Sequence, residues 1–207
     1  MRTLTPTLLS LDDVPDVVSV LGEAFYDYPV MRYVLGPAQP YDERLRRLVE
    51  LFVSRRAYLN EPMLGVRDAA GTLVAAATVT LPGPENPPAT FLALRESIWA
   101  ELGADAQARY ATFAAASEGL AIDAPHHYLD MIGVRRSHQG RGLARVLLEA
   151  VHDLSRADER SSGVRLSTER ASNVTLYEHF GYRVRGHARV DHDLETWVLF
   201  REAHPRS

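Results

Sequence analysis

The chain has 207 residues, a net charge of −4 at pH 7, 46% hydrophobic and 24% charged residues, and no cysteine. This is the composition of a folded chain with its own core, and it excludes disulfides, a thiol nucleophile and a thiolate zinc site. The mild acidity speaks against gripping nucleic-acid phosphates. All 23 basic residues are arginine, which removes Schiff-base and P-loop lysines.

No run approaches the roughly 20 apolar residues of a membrane span. The segment Met1-Arg2-Thr3-Leu4-Thr5-Pro6 lacks a signal peptide's apolar run. A cytoplasmic protein, folded as one domain over residues 1–207 and off the membrane, is therefore expected.

Thr7-Leu8-Leu9 reads as a short strand. Ser10 is placed to cap a helix with Asp12 and Asp13 in its first turn, where carboxylates suit the positive helix end. Val14, Val17, Val18, Leu21 and Phe25 then fall on one helical face, and Tyr26-Asp27-Tyr28-Pro29 ends the helix. A second helix is predicted over Tyr41–Tyr58, apolar at Leu45, Leu48, Val49 and Phe52 and charged at Arg44, Arg46, Arg47 and Glu50.

Met63–Val66 and Leu73–Leu81 read as a hairpin across Asp68-Ala69-Ala70-Gly71. The proline-rich run Pro82–Pro88 breaks the chain. Helices anchored by Trp99, Tyr110 and Phe113 are expected over Ala89–Leu120, packed as a lid. A strand over His127–Val134 and a helix over Gly142–Leu154 follow, the helix apolar at Leu143, Val146, Leu147, Val151 and Leu154. After them come a strand over Val164–Ser167 and a short helix over Asn173–Phe180, stopped by Gly181. Strands over Tyr182–Val190 and Glu195–Phe200 complete a mixed α/β order.

The chemistry concentrates where Tyr128-Leu129-Asp130-Met131-Ile132-Gly133-Val134 runs through a glycine-bearing loop into a helix. The loop's glycines permit positive φ, and the helix's first turn leaves N–H groups free for an anion, above all phosphate. Arg136, Arg141 and Arg145 add positive charge. The dinucleotide fingerprint fails because position 145 is arginine rather than glycine. The P-loop fails for want of Lys-Ser/Thr.

Gln139-x-x-Gly142-x-Ala144 after an apolar strand resembles the acetyl-CoA signature Arg/Gln-x-x-Gly-x-Gly/Ala of the GCN5-related N-acetyltransferases, the GNAT superfamily. Asn173-Val174-Thr175-Leu176-Tyr177-Glu178-His179-Phe180-Gly181-Tyr182 is similar to the superfamily's later motif. That motif has an asparagine, then a helix with Leu-Tyr-Glu, then Gly-Phe. Leu11-Asp12-Asp13-Val14-Pro15, Ala24-Phe25-Tyr26-Asp27-Tyr28-Pro29 and Arg32 resemble the puromycin N-acetyltransferase branch. Where that branch has Leu-Glu-Thr, this chain has Leu166-Ser167-Thr168.

The resemblance implies a GNAT fold, an α/β arrangement in which a mixed, mostly antiparallel sheet of about six or seven strands is flanked by helices, with an insertion near 89–122. It implies acetyl-CoA as cosubstrate. Gln139, Gly140, Arg141, Gly142, Leu143 and Ala144 would hold its pyrophosphate, and the strand amides at Ile132, Gly133 and Val134 its pantetheine arm. Asn173 would bond the pantetheine or fix the loop, and Tyr177 would protonate the leaving thiolate. Tyr177 could equally pack the helix.

Candidate bases are Asp130, Glu169 and Glu178, or a water chain; Asp130, two residues before Ile132, is expected to face the same way. Tyr26 and Tyr28 fall where the family builds its acceptor pocket. No metal site is expected: His126 and His127 project to opposite faces of a strand, and His187, Asp191 and His192 are loosely spaced. The expected partner is a small-molecule amine. The alternatives are peptide or protein acetylation, or a non-catalytic acyl-CoA sensor, and the chain is expected as monomer or homodimer.

Overall fold

In the computed structural model, which describes residues 5–192 and 194–204, strands and helices alternate along the chain. The N-terminal half comprises β1 (Thr7–Leu8), α1 (Val14–Ala24), α2 (Pro29–Leu35), α3 (Tyr41–Tyr58), β2 (Met63–Arg67) and β3 (Leu73–Thr80). Two helices, α4 (Ala89–Leu102) and α5 (Ala104–Glu118), precede β4 (His127–Val134). Then come α6 (Leu143–Ala157), β5 (Gly163–Thr168), α7 (Ala171–His179), β6 (Arg183–Asp191) and β7 (Leu194–Glu202).

The strands form one seven-stranded sheet in the order β1-β2-β3-β4-β5-β7-β6. Only β4 and β5 run parallel. Their connection passes through α6, as a parallel crossover requires. Alternation along the central strands feeds two cores: Met63 and Ala76 join the helices α1 to α5, while Leu64 and Ala77 join α6 and α7.

Two local differences from the sequence reading have clear causes. α1 stops at Ala24, and Pro29 starts α2 rather than ending a helix, because a proline in the first helical turn loses no hydrogen bond. The helix α7 begins at Ala171, so Asn173 sits inside its first turn rather than opening it.

A third difference matters for the site. Thr78 pairs with Met131 and Val79 with Leu129, leaving Asp130 as the extra residue of a β-bulge. Leu129 and Ile132 pack on the α6 side, whereas Met131 joins the α1–α5 core. Asp130 points to Arg56 of α3. The expectation that Asp130 and Ile132 face the same way is thus corrected, since one extra residue reverses the alternation beyond it.

Gly133 is small because α1 crosses β4 there. A Cβ on it would lie 2.6 Å from Ala24 Cβ and 3.0 Å from Leu21 Cδ2. Gly133→Ala should cost about 1–3 kcal/mol by overpacking. Urea unfolding checks this, and an unchanged midpoint would show that α1 yields freely.

Candidate active site

The donor side of the site is built from backbone. β4 pairs with β5 only through His127, Tyr128 and Leu129 against Val164, Arg165 and Leu166. Beyond Leu129 the edge of β4 that faces β5 is unpaired among the described residues. Alternate residues from Asp130 to Val134 therefore turn N–H and C=O groups into a gap between two strands.

At the end of β4 a 3₁₀ turn, Arg136–His138, leads through two glycines into α6. Gly140 and Gly142 adopt φ of +75° and +77°, where only glycine sits without strain. Nothing lies within 4 Å of the place where a Cβ would sit on either one. The amides of residues 140–145 donate no hydrogen bond among the described residues. They leave an open cradle of N–H groups at the positive end of a 15-residue helix. A pyrophosphate suits that donor set.

The side chains of this loop mostly hold it in shape. Gln139 donates its amide to the Val134 carbonyl at 3.2 Å, tying the turn to the strand. Arg141 reaches the Ser137 carbonyl at 3.2 Å. Leu143 is buried in the α6-side core and Ala144 packs against it, so their amides rather than their side chains face a ligand. Glu23 of α1 accepts from the Arg136 amide at 2.7 Å and pairs with Arg135 at 3.0 Å, fixing α1 to the same loop.

Beside the gap lies a cavity of about 290 Å³. Leu129 to Ile132, Ser167, Glu169, Asn173 and Tyr177 form its strand-and-α7 wall. Tyr28 lines it from the α1–α2 junction, Arg55 and Arg56 from α3, and Tyr110 and Phe113 from α5. The structure thus brings Tyr28, Asp130, Asn173 and Tyr177 together. It leaves out Tyr26, whose hydroxyl donates to Asp42 at 2.8 Å, and Glu178, which is exposed on α7.

Tyr177 is only 9% exposed, yet its hydroxyl has no hydrogen-bond partner among the described residues. Burial, with Tyr28 and Glu169 nearby, holds its pKa far above the ordinary phenol value. It keeps its proton at any physiological pH and has that proton free to give.

Tyr28 is clasped to the end of β5. Its oxygen lies 2.8 Å from Thr168 Oγ1 and 3.3 Å from the Glu169 amide, which donates to it. Thr168 Oγ1 already accepts from Asn173 Nδ2 at 3.1 Å and from the Arg170 amide at 3.4 Å. With both lone pairs engaged, the threonine donates its own proton to Tyr28. The Tyr28 hydroxyl proton is then released from this cluster. Asn173 serves here as a brace of the clasp.

Two carboxylates line the cavity in different states. Burial pushes Asp130 up to about 6, against the pull of Arg56 and Thr80. The Thr80 hydroxyl sits 3.1 and 2.9 Å from its two oxygens, and Arg56 Nε is 3.7 Å away. Glu169 is pushed up to about 7 by burial. Thr196 donates to its Oε1 at 2.9 Å, and the Tyr28 hydroxyl beside it also pulls its pKa down. Thr80 reaches both oxygens of Asp130, whereas Thr196 reaches one oxygen of Glu169.

Sequence reading gives Thr168 and Tyr128 no role and reads Ser167 only as a missing carboxylate. The Tyr128 hydroxyl meets Ser167 Oγ at 2.9 Å across the last paired rungs of β4 and β5. Ser167, in β5, and Glu169, just past its end, both line the cavity, and their spacing of two was the available signal. Arg55 and Arg56 were hidden inside an arginine-rich helix. Among the described residues no three His, Asp or Glu side chains gather as a metal-ligand set. His127 Nδ1 instead meets Ser161 Oγ at 2.9 Å, and His126 Nδ1 the Ala124 carbonyl at 2.7 Å.

A family model described as "Acetyltransferase (GNAT) domain" matches residues 95–184, from α4 to the start of β6. Solved structures share the whole architecture. A histone acetyltransferase HPA2 and related acetyltransferase from Corynebacterium glutamicum is 23% identical, with 100% of each chain covered and a TM-score of 0.72. Arylalkylamine N-acetyltransferase 2 from Aedes aegypti is 16% identical, covers 98% of this chain and 100% of its own, and has a TM-score of 0.68. The ribosomal-protein-S18-alanine N-acetyltransferase of Escherichia coli is 14% identical, with 99% and 97% covered and a TM-score of 0.58. At these identities the likeness speaks for the fold. The fold is that of the GNAT acetyltransferases, and the family match over residues 95–184 agrees with it.

The Glu169 environment has a consequence for stability. The folded protein binds this proton more tightly than the unfolded chain, whose carboxyl titrates near 4.5. Stability is therefore full below that value and falls as pH rises through about 7. Glu169→Gln keeps the shape and the acceptor for Thr196 but removes the charge. Its melting temperature should match the parent at pH ~5 and exceed it at pH ~8, by a margin worth about 1–3 kcal/mol. Equal shifts at both pH values would place Glu169 in water.

Proposed function

We propose that the protein moves the acetyl group of acetyl-CoA to the primary amine of a small molecule, by direct attack within a ternary complex. The observation that carries this is the gap between β4 and β5, with the amide cradle at one end and the free hydroxyl of Tyr177 in the cavity beside it. Acetyl-CoA supplies an activated thioester carbonyl and a thiolate leaving group.

The amides of residues 140–145 bind the pyrophosphate, with Arg136, Arg141 and Arg145 nearby. The outer edge of β4 at Ile132, Gly133 and Val134 binds the pantetheine arm. Tyr177 gives its proton to the departing sulfur. Glu169, with a pKa of about 7, takes the proton from the incoming ammonium. Asp130, held by Thr80 and Arg56, supplies charge rather than proton transfer. Around it three carboxylates, Asp130, Glu61 and Glu85, face two guanidiniums, Arg55 and Arg56, and with Glu169 the surroundings are acidic and attract a cation.

Enclosure of the cavity by Tyr28, Tyr110 and Phe113 favours a small amine over a protein chain. The resemblance of Ala24–Pro29 and Arg32 to the puromycin N-acetyltransferase branch supports a small-amine acceptor.

The test is release of free CoA thiol across a panel of small amines and short peptides, including puromycin. The protein contributes no thiol of its own. Turnover with small amines is expected; turnover with peptides alone would overturn the acceptor class. Tyr177→Phe should lower kcat about a hundredfold with acetyl-CoA affinity unchanged. The parent rate should rise with pH through about 7, as Glu169 loses its proton. Glu169→Gln should lose that limb, and a profile unmoved by the substitution would assign the base elsewhere.

A further inference from the structure

A second depression adjoins the cavity. It is a groove of about 910 Å³ between α3, α4, α5 and the Pro82–Pro88 segment. The groove and the cavity share four lining residues: Phe52, Arg55, Glu85 and Tyr110. These four are therefore the partition between them.

The partition is built to open. Arg55 and Glu85 form an ion pair in which each side chain is about one-third exposed, 35% and 37%. A pair this exposed to solvent contributes little to stability. Glu85 stands in a segment without helix or strand, so its displacement breaks no backbone ladder. The Phe52 and Tyr110 rings, 5.5 Å apart between centroids, complete the partition and give it an aromatic edge.

The groove's chemistry differs from the cavity's. Phe91, Trp99, Phe52 and Tyr110 supply aromatic lining. Its charges come in opposite signs, Arg55 with Glu85 and Arg95 with Glu96, so it carries no net field. The inner cavity's own charged residues are Asp130, Glu169 and Arg56, two acids to one base. One compartment suits an ammonium and the next a neutral aromatic body.

We infer that the groove is the outer half of the acceptor site, and that the acceptor is an elongated primary amine. Its amine end lies beside Glu169 and Tyr177, and its neutral aromatic body passes the Arg55–Glu85 pair into the groove. This deepens the proposed function and rests on it for the location of the amine end. The inner cavity of about 290 Å³ suffices for the amine head and a short spacer. Burying one more aromatic ring in the groove should raise affinity by at least about tenfold after ordering costs.

The experiment compares phenethylamine with para-benzyloxyphenethylamine, which share an amine end and differ by one outer ring. Affinity is read by calorimetry on the protein with CoA bound, and kcat/KM by thiol release. The longer amine should bind at least about tenfold more tightly and react with correspondingly higher kcat/KM. Ala111→Trp fills the groove from an exposed position of α5 and should bring the ratio of long to short close to one. Ala115→Trp, exposed on α5 outside the groove lining, controls for helix substitution and should leave the ratio as in the parent.

A longer amine that binds no better than the shorter one overturns the inference. So does a ratio that survives Ala111→Trp. Failure of both amines to react, with groove-dependent binding intact, would overturn the proposed transfer and leave the groove as a binding site.

Discussion

A buried backbone group must find a hydrogen-bond partner. At β4 this fold withholds one. The parallel ladder to β5 ends after three rungs, at Leu129 and Leu166, although both strands continue. Neighbouring features keep the gap from closing. Gly133 lets α1 sit within contact of β4, and Glu23 of α1 ties the following loop. On the other bank, Tyr28 clasps the last residues of β5 through Thr168. The two strands are held by separate helices, so the unpaired edge is preserved for a ligand rather than lost to a longer ladder.

The bulge at Asp130 acts on the same strand. Without it Asp130 and Ile132 would share a face, and the carboxylate would face α6. With it, β4 presents Tyr128, Asp130 and Met131 towards the cavity and still returns Leu129 and Ile132 to the α6-side core. One extra residue thereby lets a strand be apolar on one side and chemically equipped on the other.

These two features also mark the limit of what sequence can reveal. The order of elements was legible because apolar periods of 3.6 and 2 are local, as at Val14–Leu21 and Met63–Thr80. The amide cradle was legible because glycines at 140 and 142 are needed for positive φ. Tyr177 was legible through its motif. The bulge was not, since register depends on β3, more than fifty residues earlier. Nor was the state of the carboxylates: Asp130, Glu169 and Glu178 look alike in sequence, and only burial and the partners Thr80, Arg56 and Thr196 distinguish them. The helix α2 was missed because Pro29 reads equally well as a stop and as a start.

The difference at Ser167 gains meaning from the same strand geometry. The puromycin-type pattern has a carboxylate there, and this chain has a hydroxyl bonded to Tyr128. Two residues on, just past the end of β5, stands Glu169, and both positions line the cavity. Moving a carboxylate by two residues keeps its side of the sheet and shifts it by roughly 7 Å along the strand. That shift carries it past the end of the ladder, next to Tyr28 and Tyr177. There burial raises its pKa to about 7. The same burial that makes the ionised form costly to the fold makes Glu169 a competent base near neutral pH. In the proposed transfer this would bring the acceptor amine closer to the helical side of the cavity, beside the aromatic partition and the groove beyond it.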